Sequence, residues 1–144
     1  MALNAPIFQG TYVAAVSTIR NATLVILGLD LMDPKHSDGF RTGSGAEASG
    51  IIAYLNITAV GTGTLQLVLE EQDHVSLAWS QVAATVAANS IALVKLKLKS
   101  SITQIVSTST NAVIQDVLPA NWRIRIIHTD GSNYTYSLGV VLYD

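Results

Sequence analysis

The chain has no cysteine among its 144 residues, which excludes a disulfide framework and any thiolate metal site and leaves packing as the source of stability. Charge is scarce as well. Asp, Glu, Lys and Arg make up 12% of the residues, against about 25% in an average soluble domain. The formal net charge of −2 and the pI near 5.8 give no basic footprint for phosphates, so no nucleic-acid partner is expected. Long apolar runs are missing too. The most apolar stretch, LVILGLDLM from Leu24 to Met32, contains Asp30 and falls far short of the roughly 20 residues that span a bilayer. The opening MALNAPIFQG has no basic segment leading into an apolar one, so neither a secretory leader nor a membrane partner is expected. Without a leader, the N-x-T sequons at Asn21, Asn56 and Asn133 carry no weight.

What the chain has instead is apolar content, with AVILMFWYC residues at 49%. Ser and Thr, 13 of each, must supply much of the polar exterior. A weakly charged, apolar-rich surface is often covered in part by further copies of the chain, and a homo-oligomer is therefore expected. The length suits one domain, which would bury roughly two thirds of its unfolded surface.

Wherever a period is visible it is two. In TLQLVLEE, Leu65, Leu67 and Leu69 share one face while Gln66, Val68 and Glu70 share the other. In LVKLKLKS, Val94, Leu96 and Leu98 alternate with Lys95, Lys97 and Lys99. Trp122, Ile124 and Ile126 oppose Arg123, Arg125 and Ile127, and HTDGSN then offers Asp130-Gly131 for a turn with positive φ. Tyr134, Tyr136, Leu138, Val140 and Leu142 resume the alternation. Further strands are expected over Thr11 to Ser17, Thr23 to Leu31, Gly50 to Thr58 and Val75 to Val82.

Turn-rich separators lie at Asp33 to Gly50, Gly61 to Gly63, Ala87 to Ser90 and Leu118 to Asn121. About eight short antiparallel strands so punctuated predict an all-β sandwich of jelly-roll type over residues 11–144, preceded by an extended N-terminal arm over residues 1–10. In Ser100 to Val117 the spacing of Ile102, Ile105 and Val106 is near-helical and leaves a short helix or an irregular crossover open.

Catalysis would need a positioned acid, base, nucleophile or metal. His74 in EEQDH stands beside Glu70, Glu71 and Asp73, but strand alternation sets Glu71 and Asp73 opposite Glu70 and His74, whereas a divalent site needs convergent ligands. DPKHSDG offers Asp33, Ser37 and Asp38 as oxygen donors but lacks the alternating acids and closing Glu of a calcium loop. The glycines of GTGTL and RTGSG do not lead into a helix with Lys-Ser or Lys-Thr, so no phosphate cradle is supported. His36 and His128 have no evident partner. No cofactor, metal or enzymatic activity is expected. Lys95, Lys97 and Lys99, about 7 Å apart along one strand face, fit either a solvated face, an edge guarded against pairing or a contact with an acidic surface. Trp79 could stack on a sugar, whereas Trp122 opens an apolar alternation and belongs in a core or interface.

IIAYLNITAVGTGTLQLVLEEQD, from Ile51 to Asp73, and LPANWRIRIIHTDGSNYTYSLGVVLYD, from Leu118 to Asp144, resemble small virion proteins of tailed bacteriophages. In those, an apolar strand ends in a dvTa step, a Gly/Thr turn leads into tltltie, and a final hairpin reads lP..WRvr..h...gs..Ysvg. The likeness runs roughly from Gly50 to the end and is strongest at Pro119, Trp122, Arg123, Arg125, His128, Tyr136 and Gly139. It implies an auxiliary head protein, also called a decoration or cement protein. Such a protein is made in the host cytoplasm and binds the major capsid protein on the capsid exterior. It stabilises the expanded shell, often as a trimer. Capsid or subunit contacts are then expected from Leu3, Ile7, Phe8 and Tyr12 in and beside the arm, from Phe40 and Arg41 in the long loop, and from Lys95, Lys97 and Lys99. The alternative is a receptor- or carbohydrate-binding module of a phage tail fibre or baseplate.

Overall fold

An alternating strand buries only one of its faces, so strands of this kind must join into sheets and the sheets must close on each other. A computed structural model describes residues 8–31, 49–100 and 105–143. They form β1 (Phe8–Arg20), β2 (Leu24–Leu27), β3 (Gly50–Ala59), β4 (Leu65–Gln72), β5 (Trp79–Ala84), β6 (Ala92–Leu98), β7 (Val106–Ser107), β8 (Asn111–Ile114), β9 (Trp122–His128) and β10 (Tyr134–Tyr143). A single 3-10 turn covers Gly28–Leu31.

Sheet A has the order β1-β10-β3-β6-β8-β7 and sheet B the order β2-β9-β4-β5. Every pairing is antiparallel except β6 with β8. Four of the pairs are nested: β4 with β5, β3 with β6, β2 with β9 and β1 with β10. The chain is thus one long hairpin rolled into two facing sheets, the jelly-roll arrangement of a β-sandwich. The hairpin β7–β8 is an addition that widens sheet A beyond β6.

The inner faces follow the alternation. Leu65, Leu67 and Leu69 of β4 and Trp122, Ile124 and Ile126 of β9 meet Ile51, Ala53, Leu55 and Ile57 of β3, Val94, Leu96 and Leu98 of β6, and Tyr134, Tyr136, Leu138, Val140 and Leu142 of β10, all buried. Trp122 is a core residue, packed against the backbone of Gly28. That contact explains why the strand expected to continue to Leu31 stops at Leu27: the chain turns where a missing side chain lets it cross the indole.

Three further differences from the sequence pattern have local causes. Gly131 does not take positive φ; instead the Asp130 carboxylate accepts from the Ser132 backbone N–H at 3.1 Å, its hydroxyl at 2.6 Å and the Thr62 hydroxyl at 2.8 Å, which shapes the turn with a side chain. β5 begins at Trp79 rather than Val75, because Asp73 draws the preceding residues into a turn. Over residues 105–117 there is strand and no helix, with Ala112 buried and Ile105 exposed. Residues 101–104 lie outside the described residues. So do residues 1–7 of the expected arm, while Phe8 and Gly10 already pair with Tyr143 and Leu142 of β10.

A Cβ at Gly28 would lie 2.7 Å from Trp122 Cδ2 and 2.8 Å from Nε1. Gly28→Ala is therefore expected to destabilise the fold by about 1–3 kcal/mol, seen as a lower urea midpoint at unchanged slope.

Candidate functional site

Lys95 and Lys97 stand on the outer face of sheet A, and β6 is an interior strand between β3 and β8, so they do not guard an edge. Lys95 is flanked in register by Tyr54 and Asn111, and Lys97 by Ile52 and Val113, none of them acidic. Both lysines are half-buried, the state of a side chain whose stem lies along the sheet while its ammonium stays in water. Lys99 follows the strand, its backbone bonded to Ile114 and Asp116. The lysines form one column of positive charge.

The two sides of the sandwich differ. On one side, Ser107 Oγ donates to Ala84 O at 3.2 Å and Val86 N donates to Thr108 O at 3.0 Å, so the added hairpin ties sheet A to β5 of sheet B. On the other, β1 and β2 are the outermost strands. There Val13, Val16, Ile19 and Val25 are 76%, 66%, 65% and 43% exposed. β1 carries no charge before Arg20. Its pairing with β10 is interrupted by irregularities, one of them between Ala15 and Thr18. Arg20 spans that interruption: Nη1 donates to Tyr136 O at 2.7 Å and Thr18 O at 3.3 Å, and Nη2 to Val16 O at 2.7 Å. One guanidinium thus satisfies carbonyls on both strands where the ladder fails.

At the tip of the rolled hairpin, the Asp73 carboxylate accepts from Val75 N at 3.0 Å and Ser76 Oγ at 2.7 Å, and these bonds hold it below the usual carboxylate range. The turn presents Val75, 91% exposed, and Leu77, 62% exposed. Leu77 has φ of 62°, the one left-handed non-glycine among the described residues. His74 lies in this exposed turn, and no group of three or more His, Cys, Asp or Glu side chains able to hold a metal occurs among the described residues.

On the outer face of sheet B, β4 and β9 place Glu70 opposite Arg123 and Val68 opposite Arg125. Glu70 accepts from Arg123 Nε at 2.7 Å and from Arg125 Nη1 at 3.3 Å. The Arg123 guanidinium also lies 4.2 Å from the Trp79 ring centroid, so one indole face is occupied. The sequence carried half of this cluster, since alternation puts Glu70 and both arginines on outer faces; the pairing of β4 with β9 was the missing half.

Of the expected contact residues, Leu3, Ile7, Phe40 and Arg41 lie outside the described residues, and for Phe8 only the backbone is described. Tyr12 is half-buried and packs against the core. The described part of the set is therefore divided between the β1 side, with Phe8 and Tyr12, and the lysine column on and just after β6 of the same sheet.

No protein-family model and no curated protein matches the chain. Among solved structures it is similar to the Yersinia pseudotuberculosis-derived mitogen, at 14% identity over 96% of this chain and 88% of that one, with a TM-score of 0.44. It is also similar to the CBM22-1–GH10 modules of the Clostridium thermocellum endo-1,4-β-D-xylanase 10B, at 11% identity over 93% of this chain, with a TM-score of 0.46. This chain spans 24% of that xylanase chain.

Two substitutions check these local arrangements by urea denaturation. Leu77→Gly is expected to raise stability by about 0.5–1 kcal/mol, the left-handed backbone costing glycine little. Glu70→Gln is expected to lower it by about 2 kcal/mol, because two partly buried guanidinium groups lose their anion.

Proposed function

We propose that this chain is a non-catalytic structural protein that docks, as a homo-oligomer, on the outside of a bacteriophage capsid and stabilises the expanded shell. The observation that carries the proposal is the open side of the sandwich. Three of four apolar side chains there are about two-thirds or more exposed, on a chain with 12% charge that resembles auxiliary head proteins in its C-terminal hairpin. A clamp that binds the assembled lattice and not its parts stabilises it by mass action, and many copies on a repeating surface add avidity. The lysine column suits an acidic patch on the partner. The three-fold state that the resemblance implies is part of the proposal.

The alternative, a sugar- or receptor-binding module of a tail fibre or baseplate, would rely on Trp79. Arg123 already covers one face of that ring, which leaves a single face for stacking.

Purified chain is expected to elute as an oligomer whose mass by light scattering is that of a trimer, and to co-sediment with expanded capsids. Electron microscopy of intact particles is expected to place it on the head. A chain that stays monomeric at all concentrations and leaves expanded capsids unbound would sink the proposal. Glycan binding lost on Trp79→Ala would favour the alternative.

A further inference from the structure

The last inner position of β9 is a histidine rather than an aliphatic residue, and the first inner positions of β10 are tyrosines. His128 Nε2 lies 2.9 Å from Tyr136 Oη, and its ring meets Tyr134 edge-on with centroids 5.1 Å apart. His128 Nδ1 and Tyr134 Oη are both buried with no hydrogen-bond partner among the described residues. The Arg20 guanidinium sits 4.8 Å from the Tyr136 ring centroid while it plugs the gap between β1 and β10. Arg20, Tyr136 and His128 therefore form one stack from the outermost strand of sheet A to the end of sheet B.

We propose that protonation of His128 opens the seam between β1 and β10 in mild acid, making the C-terminal half of β1 a pH-released strap. A doubly protonated ring carries an N–H on Nδ1, which here would face no acceptor in a buried position. It would also set a second cation across one phenol from Arg20. The other elements offer little compensation. Tyr136 is pushed up to about 12 by burial, so it stays neutral. Tyr134, also on β10, meets the ring edge-on and brings no anion to it. Asp130, in the turn after β9, is the one acid among the described residues that favours the charged ring, and its carboxylate is exposed and engaged by Thr62 and Ser132. β4 places Leu65 opposite His128, and Thr23, before β2, offers only a hydroxyl to its backbone N–H.

The strap is weakly held by apolar burial. Between Val13 and Ile19 only Ala15 is buried. Loss of the Arg20 bridge therefore releases the strand before the core responds.

The sign follows from burial, which holds His128 below its ordinary value of 6.5. The unfolded or opened chain takes up the proton first as pH falls. The stabilisation is complete above the unfolded value of 6.5 and is lost as pH drops from there toward the lower folded value.

Hydrogen exchange by mass spectrometry on the full chain, at pH 7.5 and 5.0 and corrected for intrinsic rates, tests this. Protection of Val16 to Arg20 is expected to fall severalfold at pH 5.0, in the direction set by burial of the His128 ring. The core strands β4 and β9 are expected to keep theirs. His128→Gln is expected to give the same β1 protection at both pH values. Equal β1 protection in the wild type, or a loss that persists in His128→Gln, would overturn the proposal. If His128→Gln does not fold, the wild-type ring is titrated by NMR: a midpoint below 6.5 supports the strap, and one at or above 6.5 overturns it.

Discussion

Two sheets meeting through a single layer of alternate side chains impose one constraint on every strand: its inner set must stay in register. On β9 that set is Trp122, Ile124, Ile126 and His128. A slip of one residue would carry Arg123 and Arg125 into the core and put the indole in water. The ion pairs at Glu70, the indole against Gly28 and the His128 stack therefore share one origin. All are consequences of which residues of β9 face inward. The histidine and tyrosines occur where the aliphatic layer ends, and a polar group buried at such a place needs partners that only the opposite sheet can supply.

The molecule's surfaces divide the same way. Inner positions are close to uniformly apolar, and two groups of charge lie on outer faces, a lysine column on sheet A and an arginine–glutamate–tryptophan cluster on sheet B. The cluster is internally neutralised in part and half-buried, which makes it a brace for the outer face of the sheet. Lys95 and Lys97 have no acid beside them in register and can meet one from outside. That contrast, together with the apolar side chains that β1 and β2 expose among the described residues, gives the docking reading its physical content.

Much of the fold was legible because alternation is a local signal. The eight strands of the jelly roll were each visible as a segment, and period two alone grouped onto one face the apolar residues of β4, β6, β9 and β10 that are buried. What escaped was set by side chains acting on backbone. Asp73 and Asp130 each shape a turn through a carboxylate, a signal that competes with the glycine rule, and β7 and β8 are too short to show a period. The surface clusters escaped for a different reason. Glu70 and Arg123 lie 53 positions apart, and only the pairing of strands brings them together.

The nesting of the pairs around the Asp73 turn has a kinetic consequence. If β4 and β5 close first, across a six-residue connection, β3 and β6 are brought close, and each later pair has a shorter effective loop to close than its sequence separation suggests. Assembly can then run outward like a zipper, with β1 and β10 last to join. The strand that is added last in such an order is also the one whose release disturbs the fewest others.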